Sequence, residues 1–192
     1  MWKIFAFFSS YFLGSIPFGY IVGRVKGYDL RKVGSGNIGS TNVFRVVGKK
    51  EGIFVFVLDF LKGFIPVVYF SNISIFLGLL ALLGSILGHM TTPFLRFKGG
   101  KGVATGFGGV VALMPIPALL AFGVWILLLV FSRRVSVGSL GSAFCFPFFY
   151  FFFASPFHLS LFFVSIFITI LVFFTHRENI LRLIKGKEKP IF

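Results

Sequence analysis

Long apolar runs without a charged residue, separated by short breaks rich in glycine and basic residues, limit what this chain can fold into. Hydrophobic residues make up 57% of the sequence and charged residues only 12%, a composition that one water-soluble core cannot accommodate. The 31 phenylalanines suit a lipid-facing surface. We therefore predict an all-α integral membrane protein.

The charge-free runs predict seven transmembrane helices, because a helix needs about 20 residues to cross the hydrocarbon core. Their expected ranges are 4–23, 52–70, 73–90, 103–114, 116–132, 137–153 and 157–175. The first run is too long for a signal peptide and is expected to remain a span. Pro115 and Pro117 favour a break inside the uncharged stretch 102–132. The short run 103–114 is expected to begin within protein, below the membrane surface.

The positions of lysine and arginine decide the number of spans and their orientation. With seven spans, all of the 19 lysines and arginines except Lys3 and Lys62 lie in loops or in the tail on one side of the membrane. The positive-inside rule identifies this side as the cytoplasm. With six spans, the basic tail from Arg177 would be left outside. We expect an extracytoplasmic N-terminus, a cytoplasmic C-terminus and a single domain over residues 1–192. The net charge of +14 then follows from topology and requires no nucleic-acid partner.

The first glycine segment, residues 34–42, lies in a predicted cytoplasmic loop. Gly34, Gly36 and Gly39 match the pattern G-x-G-x-x-G, but no strand–helix–strand unit surrounds them, so a dinucleotide site is not indicated. Glycines let backbone N–H groups converge on an anion. The side-chain donors beside them are those of Ser35, Asn37, Thr41, Asn42 and Arg45, and the arginine can bind a phosphate through two parallel hydrogen bonds.

The second glycine segment, residues 97–105, precedes the short predicted helix. It lacks the Gly-Lys-Ser/Thr ending of a nucleotide-binding P-loop, but a helix N-terminus after glycines is favourable for an anion. The alternative is that these residues are turn glycines with lysines that only obey the positive-inside rule. We favour that alternative for Lys98 alone, and phosphate binding for the unit Gly99–Gly102.

Three further groups of residues stand out from the apolar background. Gly14, Pro17, Gly19 and Gly23 interrupt the first span and predict a kink or close helix packing rather than substrate contact. Asp59 and Lys62 lie three residues apart inside a span, where ionisable residues commonly have a function. We favour a mutual ion pair. The alternative is that Lys62 reaches a substrate headgroup. His176 and Asn179 begin a helical tail whose later basic residues can be explained by anchoring to anionic lipid, whereas these two cannot.

Taken in order, these motifs resemble the bacterial acyl-phosphate:glycerol-3-phosphate acyltransferases. The resemblance rests on Gly14-Ser-Ile-Pro-Phe-Gly19, on the first glycine segment with Arg45, on Gly88-His89, on the second glycine segment, and on His176-Arg-x-Asn-Ile-x-Arg-Leu-x-x-Gly-x-Glu188. It implies seven transmembrane helices in the cell inner membrane and an active site facing the cytoplasm. The implied reaction transfers an acyl group from acyl phosphate to the sn-1 hydroxyl of glycerol 3-phosphate, giving lysophosphatidic acid and phosphate in the first acylation step of phospholipid synthesis.

The resemblance also implies roles for individual residues. Ser35 and Arg45 are expected to be essential, Gly99, Gly100 and Gly102 to shape the glycerol 3-phosphate site, and His176 and Asn179 to be needed for activity, while Glu188 would be structural. We expect catalytic roles for Ser35, Arg45, His176 and Asn179. The expected phosphate-binding residues are Gly34, Gly36, Asn37, Thr41, His89, Gly99, Gly100, Lys101, Gly102 and Arg177. The expected partners are the two substrates and membrane lipids, with no obligate protein partner.

An acyl phosphate is an activated mixed anhydride, so that little covalent machinery is required. The sequence contains no G-x-S-x-G motif, so a serine acyl-enzyme is not indicated. It also shows no metal-ligand spacing, and we expect neither a cofactor nor a metal. His176 and His89 are the candidate bases. The alternative is a substrate phosphate oxygen, which we favour slightly because no carboxylate is placed in the sequence to orient either imidazole.

The rival interpretation from another class is a transporter or flippase for an anionic phosphorylated compound. Such a protein is expected to carry paired broken helices in inverted repeats, whereas the polar motifs here lie on one predicted face. A basic membrane scaffold would explain the charge but not the serine, asparagine and threonine spacing.

Overall fold

The structure, a computed structural model, describes residues 1–191 and is all-α in this part of the chain. The helices are α1 Trp2–Gly14, α2 Phe18–Val25, α3 Ser40–Val46, α4 Lys49–Ser71, α5 Ile75–Met90, α6 Val103–Leu113, α7 Pro115–Ser132, α8 Val135–Phe153, α9 Leu159–Thr175 and α10 Arg177–Ile184, with a 3-10 turn at Pro93–Leu95. The prediction of an all-α chain is confirmed.

Within residues 1–191, 5 helical segments are long and apolar enough to cross a membrane, and the bent pair α9 and α10 raises the number to 6. The 5 segments are Trp2–Val25, Lys49–Ser71, Ile75–Leu95, Pro115–Ser132 and Val135–Phe153. The remaining apolar helix, α6, has 11 residues. A helix occupies each of the seven predicted ranges, but the number of spans and the orientation of the termini stay predictions.

The chain divides into two compact units, the first covering Met1–Leu113 and the second beginning at Met114. In the first unit, backbones approach closely at glycines, which is the usual way helices associate in membranes. A Cβ on Gly84 or Gly88 of α5 would collide with backbone oxygens of α1, and a Cβ on Gly63 of α4 would collide with the carbonyl of Thr105 in α6. These contacts fix α1 against α5 and α4 against α6.

The predicted interruption of the first span is confirmed. Helix α1 ends at Gly14 and α2 begins at Phe18, with Pro17 in the break. A Cβ on Gly19 would collide with the carbonyl oxygen of Ile38, so that α2 supports the first glycine segment directly. The preferred interpretation of these glycines as packing positions agrees with this geometry.

In the second unit, the predicted break before Pro115 is present, because α6 ends at Leu113 and α7 begins at Pro115. Helices α8 and α9 are joined by a 2.7 Å hydrogen bond from Oγ1 of Thr169 to the carbonyl of Ala143. The predicted helical tail is present as α10, but it is bent by 59° from α9. His176 occupies that bend.

Candidate functional site

Asn42 organises the first glycine segment. Its side chain is buried, its Oδ1 accepts a 2.9 Å hydrogen bond from the N–H of Ser35, and its Nδ2 donates to three backbone carbonyls of the loop. Gly34 and Gly36 have φ values of +64° and +74°, a conformation that side chains disfavour. The asparagine is therefore a structural residue and not a ligand donor, which corrects the sequence-based expectation.

Several backbone N–H groups of this segment are already satisfied. Besides the N–H of Ser35, that of Gly36 donates to the carbonyl of Val33 over 3.1 Å, and that of Gly39 donates to Oδ1 of Asn37 over 2.8 Å. The expectation that these glycines direct their N–H groups at an anion is wrong for Gly36 and Gly39. Their contribution is to shape the loop.

Side chains supply the unused donors instead. Among residues 1–191, no hydrogen bond involves Oγ of Ser35, Nδ2 of Asn37 or Oγ1 of Thr41, and the buried Nε of Arg45 has no partner. Thr41 and Arg45 are four residues apart on α3 and share one of its faces. Four residues with unused side-chain donors thus lie within or directly after a loop whose backbone is held by Asn42, and such donors are suited to binding an oxyanion.

The second glycine segment caps the C-terminal end of α5. The N–H of Gly99 donates to the carbonyl of Met90 over 2.9 Å, and that of Gly100 to the carbonyl of His89 over 3.1 Å. These two N–H groups are therefore bonded within the protein. Gly102 has a φ of +76° and leads directly into α6, whose first turn carries N–H groups without intrahelical acceptors.

A buried polar cluster lies beneath this segment. The Nδ1 atom of His89 is 3.2 Å from Oγ1 of Thr105 and 3.7 Å from Oδ1 of Asp59. Asp59 in turn forms a 2.8 Å ion pair with Lys62, as the sequence predicted. The premise that no carboxylate lies near either imidazole is therefore wrong for His89, because helix packing places Asp59 beside it.

The ammonium group of Lys62 is bound to groups inside the protein. Its Nζ contacts Asp59 and donates a 2.8 Å hydrogen bond to the carbonyl oxygen of Ile16 in the α1–α2 break. The lysine is only 3% exposed. The alternative in which this lysine reaches a substrate headgroup is not supported.

The third motif lies in the second unit. His176 is buried, and its Nδ1 is 2.9 Å from the carbonyl oxygen of Val172. Since a carbonyl only accepts, Nδ1 of His176 carries the proton in this contact. A backbone carbonyl thus orients this imidazole where no carboxylate was expected. Arg177 is exposed, and its guanidinium stacks on Phe174 at 4.9 Å from the ring centroid.

The segment after α10 folds back and holds Asn179. Glu188 accepts hydrogen bonds from Nδ2 of Asn179 at 2.6 Å, from Oγ of Ser136 at 2.8 Å and from Nε of Arg182 at 2.7 Å. Burial raises the pKa of Glu188, but these three hydrogen bonds outweigh it and the net pKa is lowered. The structural role expected for Glu188 matches this geometry.

The chain tail is also tied to the start of α8. Nε of Arg134 donates to the carbonyl of Glu188 over 2.9 Å, and the N–H of Ile191 donates to the carbonyl of Arg133 over 2.8 Å. Sequence reasoning missed the contacts of Arg134, Ser136 and Thr105, because each contact joins residues far apart in the chain.

The structure places the predicted site residues in both units. The first unit holds Gly34, Ser35, Gly36, Asn37, Thr41, Arg45, His89, Gly99, Gly100, Lys101 and Gly102, and the second holds His176, Arg177 and Asn179. In the described residues, no group of three or more His, Cys, Asp or Glu side chains has the arrangement of a metal site.

Comparisons with known proteins agree along nearly the whole chain. Residues 4–186 match the family model described as glycerol-3-phosphate acyltransferase. The glycerol-3-phosphate acyltransferase of Aquifex aeolicus (strain VF5) is 45% identical over 191 residues, covering 98% of each chain. That of Endomicrobium trichonymphae is 43% identical over 192 residues, covering 98% of this chain and 96% of its own.

Solved structures are equally similar. The crystal structure of PlsY (YgiH), an integral membrane glycerol 3-phosphate acyltransferase, in its glycerol 3-phosphate form has a TM-score of 0.93 and 43% identity, covering 98% of this chain and 94% of its own. The lysophosphatidic acid form gives a TM-score of 0.90 at 41% identity, with the same coverage of both chains. The chain therefore belongs to the glycerol-3-phosphate acyltransferase family of integral membrane enzymes.

Proposed function

We propose that this enzyme transfers the acyl group of an acyl phosphate to the sn-1 hydroxyl of glycerol 3-phosphate, forming 1-acyl-glycerol 3-phosphate and phosphate. The observation that carries the proposal is the set of donors of Ser35, Asn37, Thr41 and Arg45 around the loop organised by Asn42. Such a set binds and neutralises a phosphate without forming a covalent intermediate. Crystal forms of PlsY (YgiH) with glycerol 3-phosphate and with lysophosphatidic acid support the choice of acceptor and product.

The chemistry balances with these two substrates alone. The hydroxyl oxygen of glycerol 3-phosphate attacks the acyl carbonyl carbon, a new ester C–O bond forms, and the bond from that carbon to the phosphate oxygen breaks. Phosphate leaves with the bonding electron pair. The hydroxyl proton must pass to a base, and no cofactor, metal or obligate protein partner is required.

The two glycine segments are proposed to divide the phosphates between them. Ser35 and Arg45 act at the first segment, with Gly34 and Gly36 shaping the loop. In the second, Lys101 and the first turn of α6 supply positive charge and N–H groups to glycerol 3-phosphate, while Gly99 and Gly100 shape the turn by their bonds to α5. His176, Asn179 and Arg177, which lie in the second unit at the bend between α9 and α10, are proposed to be needed for activity.

We assign the proton to a substrate phosphate oxygen. The second pKa of a phosphate monoester is about 6, so such an oxygen is a competent base near neutral pH. His176 then contributes to substrate binding rather than accepting the proton. We assign His89 to support of the second glycine segment, because it lies beneath Gly100 with its Nδ1 beside Thr105 and Asp59.

The proposed topology places this chemistry on the cytoplasmic side of the cell inner membrane. It has seven spans, with α6 as the short one, an extracytoplasmic N-terminus and a cytoplasmic C-terminus. The charge distribution supports it through the positive-inside rule. Single cysteines in place of Lys3 and Lys187, introduced into a Cys145→Ser chain, should react with an impermeant thiol reagent from opposite sides of sealed vesicles.

The donor and the regiochemistry are tested with purified protein, palmitoyl phosphate and glycerol 3-phosphate, without ATP, acyl-CoA or acyl carrier protein. We expect one phosphate released per lysophosphatidate formed, with the acyl group at the sn-1 position. A parallel reaction uses palmitoyl-CoA as the only donor. Product from palmitoyl-CoA and none from palmitoyl phosphate would overturn the proposed donor while leaving the family unchanged.

A further inference from the structure

The ion pair of Asp59 and Lys62 is buried at the meeting point of four helical elements. The two side chains are 3% and 2% exposed and 2.8 Å apart. Removing two charges from solvent is costly, and an apolar pair of similar volume is often at least as stable. Stability of α4 alone therefore does not explain why charges occupy these positions.

The contacts of the pair lead towards the second glycine segment. Asp59 lies 3.7 Å from Nδ1 of His89, and Oγ1 of Thr105 lies 3.2 Å from the same nitrogen. The other ring nitrogen of His89 lies against Gly100, where any Cβ would collide with it. On one side the imidazole is hydrogen-bonded to Thr105 of α6 and faces the carboxylate of Asp59 of α4, and on the other it touches the glycine turn.

The same histidine also supports the turn through its backbone. Its carbonyl accepts the N–H of Gly100 over 3.1 Å, so that a shift of His89 moves both groups against which Gly100 rests. Lys62 balances the charge of Asp59 and is anchored to the carbonyl of Ile16. All the contacts described for Asp59, Lys62, His89 and Thr105 are with other groups of the protein.

We propose that Asp59 and Thr105 are positioning residues for glycerol 3-phosphate binding, which act by fixing the imidazole of His89 under Gly100. The proposal rests on the binding of glycerol 3-phosphate at the second glycine segment. Neither residue touches the substrate. Their effect is on the geometry of the turn that leads into α6, and Lys62 is required to keep the carboxylate of Asp59 in place.

The first test compares Thr105→Val with Thr105→Ser. Valine keeps the shape and removes the hydrogen bond to His89, so we expect the KM for glycerol 3-phosphate to rise about three- to tenfold, the range for a lost neutral hydrogen bond. The KM for palmitoyl phosphate and kcat should change by less than about twofold. Serine retains the hydroxyl and should restore the KM.

Thr169→Val is the matched control. It removes the hydrogen bond from Oγ1 of Thr169 in α9 to the carbonyl of Ala143 in α8 and should leave both KM values unchanged. If Thr105→Val behaved like this control, if it raised both KM values equally, or if Thr105→Ser were as impaired as Thr105→Val, the positioning role would be wrong.

The second test separates positioning from a structural ion pair. Removing one charge strands its partner and is strongly destabilising, whereas removing both avoids that cost. The double variant Asp59→Leu with Lys62→Met should therefore fold with a thermal midpoint near that of the parent, yet keep a raised KM for glycerol 3-phosphate. A double variant with the parent KM would overturn the proposal.

Failure of the proposed function would be recognised separately, because it would appear as a parent enzyme inactive with palmitoyl phosphate. In that case equilibrium dialysis with radiolabelled glycerol 3-phosphate replaces KM as the readout. The Thr105→Val chain should still bind this ligand about three- to tenfold more weakly than the parent. Equal binding by the two chains would count against the positioning role.

Discussion

The side-chain oxygen of Asn42 accepts a 2.9 Å hydrogen bond from the backbone N–H of Ser35. This bond joins the start of α3 to the apex of the first glycine segment. It holds Ser35 at the surface with its hydroxyl unused by the described protein, and it explains why a buried asparagine is needed at the start of α3.

Asn42→Ala should disable the loop without unfolding the enzyme. The substitution removes the acceptor of the Ser35 N–H and the two N–H donors of Nδ2, which lie near three carbonyls, and each hydrogen bond contributes about 1 kcal/mol. If about 2 kcal/mol of this is lost from transition-state binding, kcat/KM falls about 30-fold. Steady-state kinetics with both substrates measure the effect. Asn72→Ala, an exposed position at the end of α4, serves as the control, and equal kinetics for the two variants would contradict the role of Asn42.

The location of the spans was predictable from the sequence because the signal is local. Stretches without charge, the prolines at 115 and 117, and the glycines near Gly14 each act on their own helix, and α7 and the α1–α2 break lie where they indicated. The seven-span count does not follow from this local signal, because α6 is too short to be assigned as a span by length alone.

The direction of the glycine N–H groups was not predictable in the same way. It depends on which acceptor each group meets, and the acceptors of Gly99 and Gly100 are the last carbonyls of α5. Similarly, the carboxylate beside His89 comes from Asp59 on another helix. A sequence shows which residues carry donors and acceptors, but the pairing between distant segments is created by packing.

Gly34→Ala should be more damaging than Gly36→Ala. Both positions have positive φ, which costs an alanine about 1–2 kcal/mol. At Gly34 the added Cβ would also collide with the side chain of Asn42, whereas at Gly36 the nearest atom is the carbonyl oxygen of Arg31 at 3.5 Å. We expect kcat/KM to fall further in Gly34→Ala than in Gly36→Ala. Gly27→Ala, with a φ of +83° and no atom within 4 Å, controls for backbone strain alone.

Arg45→Lys should reduce activity although it conserves the charge. A lysine cannot reproduce the two parallel hydrogen bonds of a guanidinium to phosphate, and loss of one charge-assisted bond corresponds to about tenfold to 100-fold in kcat/KM. Arg31→Lys is the matched control, since Arg31 is paired with Asp29 at 2.8 Å on the exposed surface. A variant at position 45 that is as active as this control would exclude a bidentate role.

Glu188→Gln should destabilise the tail and change its pH dependence. The folded-state pKa of Glu188 is lowered from 4.5, so its contribution to stability is complete above that value and is lost as pH falls below it. Loss of about 2 kcal/mol of charged hydrogen bonding corresponds to a thermal midpoint about 4–8 °C lower in a chain of this size.

Thermal unfolding of the detergent-solubilised protein between pH 7 and pH 4 measures both effects. The parent midpoint should decline below pH 4.5, and that of Glu188→Gln should decline less over the same interval. Glu178→Gln is the control, because Glu178 is 74% exposed and lies 3.8 Å from Arg182. Parallel curves for the parent and Glu188→Gln would show that the three hydrogen bonds do not stabilise the charged form.

His176→Gln decides between a histidine and a substrate phosphate as the base. Nδ1 of His176 is held by the carbonyl of Val172, and an amide retains a donor and an acceptor for binding. Removing a general base costs about 100-fold or more in kcat, so under phosphate-assisted transfer the loss should be smaller than about 100-fold. The pH dependence of kcat should then keep its shape, because the titrating group belongs to the substrate. His158→Gln, near the opposite end of α9, should have parent kinetics. A loss of kcat beyond that limit, with both KM values unchanged and the alkaline rise of the profile gone, would instead identify His176 as the group that accepts the hydroxyl proton.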